Sequence, residues 1–254
     1  MSSILEQFEN LHEQSSPLLI GNVWDAQTGL LAEKAGFKAL GSSSHAIAFS
    51  LGYEDGEEIS FDELFFVVNR IVKSVKIPVS VDFEAGYSHD PKQVANYVKK
   101  LSDIGVVGIN LEDGTVVNGK RHLGSETELA QKIKAIKQET DIFINARADT
   151  YTTKHENALE ESIRRAKIYQ EAGADGIFVP LMEKEEDIQK FVSEIDLPLN
   201  LFASPTLPNY ETLSELGVKR ISHGAKQYEH LMKLAEKSFT DFVKNKDYKT
   251  ILGL

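Results

Sequence analysis

The sequence has no cysteine, which excludes disulfide bonds, zinc–thiolate sites and a cysteine nucleophile. It has no apolar run of about 18 residues, which excludes a membrane-spanning helix. Basic residues are in deficit, with 28 Lys and Arg against 39 Asp and Glu, and this net charge of −11 argues against nucleic acid as the main partner. No basic segment precedes an apolar core at the N-terminus, so we expect a cytoplasmic protein without a secretory signal.

The composition that remains is typical of a globular protein with a sizeable core, since 41% of the 254 residues are hydrophobic. Eight short apolar runs recur along the chain. Their near-continuous apolar character predicts parallel strands that are covered on both faces. The runs are 18–23, 37–41, 77–82, 106–112, 142–147, 175–180, 198–202 and 219–222.

The segments between these runs have apolar residues at helical spacing, for example 91–101, 126–138 and 156–171. Eight strands that alternate with helices in about 250 residues favour a (β/α)8 TIM barrel, and an open doubly wound sheet is the alternative. We predict one barrel domain over residues 1–254. An additional N-terminal helix lies within 1–16, and an extended C-terminal helical tail covers 226–254.

Acidic residues end neighbouring predicted strands, where a barrel carries its active site. Asp82 and Glu84 are two residues apart, so both face one side of an extended strand. Glu112 ends the next strand. A hard cation such as Mg²⁺ relieves the repulsion among such acids, although they could also be ordinary solvated side chains. Arg147 is either their counter-charge or a binder of substrate carboxylate or enolate charge.

The serine run at 42–44 and Asn200 each have two interpretations. The run Ser42, Ser43 and Ser44 is an ordinary serine turn or a backbone cradle for a carboxylate. Asn200 lies in the middle of a predicted strand, so it needs a partner, either structural or substrate. His122 has no second histidine at metal-ligand spacing.

Five motifs follow one another along the chain. They are Gly-Asn-Val-Trp-Asp-Ala at 21–26, Ser-Ser-Ser at 42–44, Asp-Phe-Glu-Ala-Gly-Tyr at 82–87, Asn-Leu-Glu-Asp-Gly at 110–114 and Asn-Ala-Arg-Ala-Asp at 145–149. Together they resemble the isocitrate lyase/phosphoenolpyruvate mutase superfamily, and the resemblance spans roughly residues 17–225.

The resemblance implies a Mg²⁺-dependent barrel that acts on 2-oxo acids through a pyruvate-type enolate, with Mn²⁺ as the alternative metal. It implies that Asp82 and Glu84 bind the metal, and that Glu112 and Asp55 complete its shell through water. The loop 42–44 would bind the substrate carboxylate, and Arg147 would stabilise the oxyanion. It also implies a homodimer or homotetramer formed by exchange of the C-terminal helix.

The sequence departs from the lyases of that superfamily in two places. Their lid carries a catalytic Cys, whereas this chain reads Gly-Lys-Arg-His-Leu-Gly-Ser at 119–125. Pro180 stands where they have a Glu. His122 is the candidate replacement for the catalytic acid that the lid Cys supplies in those lyases. We predict a carbon–carbon lyase or decarboxylase. A phosphonomutase is the alternative within enzymes, and a barrel that only binds 2-oxo acids is the alternative outside them.

Overall fold

The computed structural model describes residues 3–117 and 119–254 and confirms the predicted barrel. Ten strands lie within these residues: β1 (Leu18–Val23), β2 (Ala39–Ser42), β3 (Val79–Asp82), β4 (Gly108–Glu112), β5 (Gly114–Val117), β6 (Lys120–Leu123), β7 (Phe143–Arg147), β8 (Gly176–Phe178), β9 (Leu199–Phe202) and β10 (Arg220–Ser222).

The helices of the described residues alternate with these strands and extend beyond them at both ends. They are α1 (Ile4–His12), α2 (Ala26–Ala35), α3 (Ser44–Leu51), α4 (Phe61–Ser74), α5 (Pro91–Asp103), α6 (Glu126–Glu139), α7 (Ala158–Ala172), α8 (Glu185–Glu194), α9 (Tyr210–Glu215), α10 (Lys226–Lys244) and α11 (Lys249–Leu252). None of the helices in the described part of the chain is long and apolar enough to cross a membrane.

Eight parallel strands close the barrel in the order β1-β10-β9-β8-β7-β4-β3-β2. The strands begin up to two residues later than the apolar runs suggest. For example, β3 begins at Val79, because residues 77 and 78 still belong to the connection. Glycine ends several of the helices. Gly36 and Gly173 have φ of 101° and 104°, the left-handed region in which glycine closes a helix without a Cβ penalty.

Helix α1 covers the N-terminal end of the barrel. Phe8 is fully buried in a cluster with Leu18, Val107 and Phe143, which lie at or next to the starts of their strands. His12 stacks on Phe143 with ring centroids 4.3 Å apart. The predicted N-terminal helix therefore exists and closes the end of the barrel opposite the strands' carboxyl ends. The prediction also included Met1 and Ser2, which lie outside the described residues.

The strands β5 and β6 form a separate antiparallel hairpin between β4 and α6, in the segment predicted as the lid. This hairpin is attached directly to the carboxyl end of β4, because β4 ends at Glu112 and β5 begins at Gly114. It therefore stands over the rim where the predicted acids lie.

The C-terminal helix α10 leaves a row of large apolar side chains exposed. Its Phe239 is 65% exposed, and Val243 is 63% exposed. A long amphipathic helix with such a face is typical of a surface that another protein surface covers.

Candidate active site

The carboxyl ends of β3, β4 and β7 bring three predicted site residues to one rim. Asp82 ends β3 and is paired in register with Asn110 of β4. Glu112 and Arg147 are direct register partners at the ends of β4 and β7. The strand pairing therefore fixes the relative height of these side chains, as the sequence predicted from barrel topology.

Asp82 is held by the serine run at the end of β2. The Ser44 hydroxyl donates to Asp82 Oδ2 over 2.7 Å, and the backbone N–H of Asp82 donates to Ser42 Oγ over 2.9 Å. Ser43 caps α3, and its hydroxyl accepts a hydrogen bond from the N–H of Ala46. All three serines are buried. The run therefore positions Asp82 and begins α3, and this structural role was not part of either sequence interpretation.

Glu84 lies at the acidic rim as predicted, but the alternation of side chains along a strand does not place it there. Strand β3 ends at Asp82, and Glu84 has a φ of 47°, so the two-residue alternation of an extended strand does not apply. Its carboxylate accepts a hydrogen bond of 3.0 Å from the hydroxyl of Tyr87. Burial, and then the charges of Glu112 and Asp82, raise the pKa of Glu84 to about 9. Burial and repulsion by the neighbouring carboxylates thus favour the protonated form of Glu84 at neutral pH when no cation is bound.

Glu112 is buried between two guanidinium groups. Its Oε2 lies 2.8 Å from Nη1 of Arg147, and its Oε1 contacts Nη1 of Arg121. Burial raises the pKa of Glu112, while Arg147 opposes that rise and Asp149 adds to it. Both carboxylate oxygens of this predicted metal ligand therefore have protein partners.

Arg147 is anchored on both sides by acids. Its Nε and Nη2 donate to Oδ1 of Asp149 over 2.9 and 2.8 Å, while Nη1 faces Glu112. The guanidinium carbon also lies 5.6 Å from the centroid of the Phe178 ring. The predicted counter-charge role of Arg147 is therefore present in the ion pairs, and its planar group is fixed at the rim.

Arg121 of β6 completes the ion-pair network, and sequence reasoning missed it. Its Nη1 bridges Glu112 and Asp149, at 2.8 Å from Asp149 Oδ2. A Cβ at Gly114 would lie only 1.9 Å from that Oδ2 and 2.8 Å from the Arg121 nitrogen, so glycine is required there. His122 is exposed, because neighbouring residues of a strand point to opposite faces. Two signals could have identified Arg121. Side chains alternate between the two faces of the hairpin strand, and the predicted acids of the rim outnumber the predicted cations.

Asp55 lies in the loop after α3 and is held by His45, with Nδ1 of His45 3.5 Å from Oδ2 of Asp55. Burial raises the pKa of Asp55, but the His45 contact, together with the charges of Arg121 and Arg147, outweighs burial and leaves the pKa of Asp55 lowered. The same contact raises the pKa of His45. Among the charges that act on Glu84 is Asp55, so this loop faces the rim.

Asn200 is fully buried in β9, and its amide donates to Ser222 Oγ over 3.2 Å and to the carbonyl of Leu201. Its Oδ1 has no hydrogen-bond partner among residues 3–117 and 119–254. The structure thus supplies a structural partner for its amide nitrogen, and its oxygen is buried.

A cavity of about 510 Å³ opens at the rim, and Asp82, Asn110 and Arg147 line its inner part. A second cavity of about 400 Å³ lies beside the hairpin and reaches Glu84 and Glu112. In the described part of the chain, no three His, Asp or Glu side chains are grouped so that they could hold a metal ion as they stand. Their carboxylates are instead engaged by the serine, tyrosine and arginine partners described above.

Comparisons with known proteins identify relatives over almost the whole chain. Residues 8–243 match the family model described as phosphoenolpyruvate phosphomutase. An uncharacterized protein of Mycobacterium tuberculosis is 36% identical over 222 residues, which cover 87% of this chain and 83% of that protein. A 2-methylisocitrate lyase of Halalkalibacterium halodurans is 28% identical over 265 residues, with 97% of this chain and 87% of the lyase covered.

Solved structures with the same fold include a Burkholderia cenocepacia protein whose assignment as a phosphonomutase is provisional. It is 34% identical, has a TM-score of 0.87, and the match covers 93% of this chain and 98% of that one. A phosphonopyruvate hydrolase in complex with oxalate and Mg²⁺ is 21% identical with a TM-score of 0.85, and 96% and 88% of the two chains are covered.

Proposed function

Because the chain belongs to the phosphoenolpyruvate phosphomutase family, within the isocitrate lyase/phosphoenolpyruvate mutase superfamily, we propose that it is a Mg²⁺-dependent carbon–carbon lyase or decarboxylase. Its substrate would be a small 2-oxo acid that reacts through a pyruvate-type enolate. The observation that carries this proposal is the convergence of Asp82, Glu112 and Arg147 on one rim, where Asp82 and Arg147 line the same cavity.

The acidic side chains fit a hard divalent cation in their chemistry. Asp82, Glu84, Glu112 and Asp55 offer only carboxylate oxygens, the ligands that Mg²⁺ and Mn²⁺ prefer. The raised pKa of Glu84 supports this assignment, because it arises from burial among like charges that a dication would compensate. When bound, Mg²⁺ would act as a Lewis acid and a template for the 2-oxo acid.

The protein's own groups would supply the remaining functions. Arg147 is held rigidly by Glu112 and Asp149, so its guanidinium would stabilise the enolate oxyanion without reorganising. The 42–44 loop keeps Asp82 oriented through Ser44. To bind the substrate carboxylate, as the resemblance implies, the N–H groups of Ser43 and Ser44 would have to leave the Val23 carbonyl and Asp82. Asn200 is not among the residues that line the cavity, so it would act on the substrate through Ser222, which lines the cavity and accepts a hydrogen bond from the Asn200 amide. His122 is exposed, so the proposed mechanism gives it no proton-transfer step.

A phosphonomutase is the second candidate, and the match to the phosphoenolpyruvate phosphomutase model favours it. The binding-only barrel is the third, and it is favoured by the complete pairing of Glu112 with two arginines. All three candidates share the rim and differ in what happens to the bound 2-oxo acid.

The remaining proposals concern organisation. Residues 1–254 would form one barrel domain, with 226–254 as a helical tail exchanged between subunits of a homodimer or homotetramer. The exposed apolar row of α10, which includes Phe239 and Val243, supports this exchange. We assign the protein to the cytoplasm.

The test is a turnover screen with two 2-oxo acids, oxaloacetate and phosphonopyruvate, and with the hydroxy acid 2-methylisocitrate, whose cleavage releases a 2-oxo acid, each with and without Mg²⁺. We expect carbon–carbon cleavage of at least one substrate that stops when Mg²⁺ is chelated and in Asp82→Asn. The matched control is Asp103→Asn, which alters an exposed carboxylate paired with Lys99 and should keep full activity. Phosphonopyruvate turnover alone would favour the mutase, and binding of all three without turnover would favour the binding-only barrel.

A further inference from the structure

Asn110 contributes an amide group to the inner wall of the 510 Å³ cavity. It lies on β4, in register with Asp82 of β3 on one side and with Asn145 of β7 on the other. Side chains two residues apart on a strand share a face, so Asn110 points to the same side as Glu112, one step deeper in the barrel. The Asn110 amide therefore lies beneath the ion pair of Glu112 and Arg147.

The oxygen of this amide is occupied by two donors from the barrel interior. Nδ2 of Asn145 donates to Asn110 Oδ1 over 2.8 Å, and Nη2 of Arg220 donates to the same oxygen over 3.3 Å. Neither Asn145 nor Arg220 lines the cavity. In the described part of the chain, every hydrogen bond of the Asn110 side chain goes to its oxygen. The amide nitrogen is therefore left to face the cavity that Asn110 lines.

Arg220 determines which end of the Asn110 amide faces the cavity. A guanidinium group has N–H donors and no acceptor, so the amide must turn its oxygen towards it. Asn145 could not make this choice alone, because its own amide offers either a donor or an acceptor. The orientation of Asn110, with its N–H groups towards the cavity, therefore depends on Arg220.

Arg220 occupies an unfavourable place for a charged group. It is 1% exposed, and its Nε and Nη1 have no hydrogen-bond partner among residues 3–117 and 119–254. Burial lowers the pKa of Arg220 to about 9, and the charge of Asp82 opposes this, so the guanidinium stays charged at neutral pH. A buried charge with so few partners destabilises a fold. Its presence below the rim is better explained by a role in the site than by stability.

Building on the proposed function, we propose that Asn110 binds the 2-oxo acid by donating a hydrogen bond from Nδ2 to an oxygen of the carboxylate–carbonyl unit, and that Arg220 is the positioning residue that fixes this amide. The inner part of the cavity otherwise offers Asp82, a proposed metal ligand, and Arg147, which is only a donor. The acceptor for the Asn110 amide is therefore an oxygen of the ligand.

The experiment measures the dissociation constant of oxalate, which has the same carboxylate–carbonyl unit, by calorimetry with saturating Mg²⁺. Asn110→Ala should weaken oxalate binding at least about tenfold, the effect of losing a hydrogen bond to a charged group. Mn²⁺ titrated without oxalate should bind as in the wild type, because the proposed metal ligands are carboxylates. The matched control is Asn157→Ala, which alters an exposed asparagine without a capping hydrogen bond and should leave both affinities unchanged.

Variants of Arg220 test the positioning role. Arg220→Met keeps an unbranched side chain but removes the donors, so the Asn110 amide can take either orientation. Equal population of the two orientations weakens oxalate binding about twofold, and this is the smallest effect expected. Arg220→Lys should keep most of the affinity, because an ammonium group is also a donor without an acceptor. In the Asn110→Ala background, Arg220→Met should have no further effect.

Thermal unfolding distinguishes this role from a structural one. Arg220→Met removes a poorly paired buried charge, so its Tm should equal that of the wild type or exceed it. Asn110→Ala should lower the Tm, because Arg220 loses its acceptor, and the added Arg220→Met should restore it. A lower Tm or a failure to fold in Arg220→Met would instead assign Arg220 to the structure of the barrel.

The outcomes separate this inference from the proposed function. If the wild type binds oxalate with Mg²⁺ and Asn110→Ala binds it equally well, the role of Asn110 is refuted and the proposed function stands. If Arg220→Met weakens oxalate binding by the same factor with and without Asn110, its effect does not pass through that amide and the positioning role is refuted. If the wild type binds no oxalate with Mg²⁺, both proposals are refuted.

Discussion

Replacing Arg121 by Gln should loosen the hairpin and tighten metal binding at the same time. The guanidinium bridges Glu112 and Asp149, which are 5% and 0% exposed, from a position on β6 outside the barrel. In the metal-free protein this contact stabilises the fold, because it compensates buried negative charge. For an incoming dication, the same positive charge is a competitor for Glu112.

The magnitudes follow from the contacts. Both carboxylates keep Arg147 as a partner, so the variant loses charge-assisted hydrogen bonds worth about 1.5–3 kcal/mol rather than a whole isolated ion pair. For a chain of this size that is a fall in Tm of about 3–12 °C. Two unit charges 4 Å apart interact by about 4 kcal/mol at an effective dielectric of 20, and a dication at twice that distance feels the same repulsion. After screening, we expect Mn²⁺ or Mg²⁺ to bind at least about tenfold more tightly to Arg121→Gln.

The assay combines thermal unfolding without metal and titration of Mn²⁺ followed by electron paramagnetic resonance. Arg164→Gln is the matched control. It removes an arginine that is 48% exposed and pairs with Glu161 and Glu126 on the outer surface, so neither readout should change greatly. A metal affinity that is unchanged in Arg121→Gln, with the Tm lowered as expected, would show that Arg121 and the cation do not share Glu112.

Three further perturbations have defined outcomes. Arg147→Lys should lower kcat by at least about 100-fold in the substrate screen, since one point charge cannot replace a fixed planar donor of oxyanion contacts, and full activity would remove its assigned role. Burial, with a smaller contribution from Arg220, lowers the pKa of His12 from 6.5 to about 3, so the unfolded chain takes up a proton below about pH 6.5 that the folded chain does not. The free energy of unfolding of the wild type, relative to that of His12→Gln, should therefore fall by up to about 1.4 kcal/mol per pH unit as the pH drops from 6.5 towards 3. Urea unfolding of both proteins at several pH values measures this difference, and parallel pH curves would contradict the prediction. Substitution of Phe239 and Phe242 by Glu should convert an oligomer into monomers in light scattering, whereas an unchanged mass would exclude α10 as the interface.

The barrel was predictable because its signal is repeated. Each strand is a short apolar run, and β1 has the predicted bounds, Leu18–Val23. The positions of Asp82, Glu112 and Arg147 at one rim follow from the topology alone, since the carboxyl ends of parallel strands share one end of a barrel. Periodicity and strand order were therefore sufficient for both.

The details of the rim were not predictable in the same way. The position of the Glu84 side chain depends on a left-handed backbone conformation, which the spacing of apolar residues does not indicate. The His45–Asp55 contact joins a helix to a loop. In the hairpin, Arg121, which had no predicted role, points to the acids, whereas His122, the predicted acid, points to solvent. Which face of a short strand points inward depends on its register, and four residues of mixed polarity do not specify that register.

The measurement that tests the proposed metal site most directly is a crystal structure of the protein soaked with Mg²⁺ and oxalate. We predict a metal ion among Asp82, Glu84 and Glu112, with oxalate between it and the guanidinium of Arg147. Crystals that diffract well but show neither ion nor oxalate at this rim, or that show them bound elsewhere, would contradict the proposal.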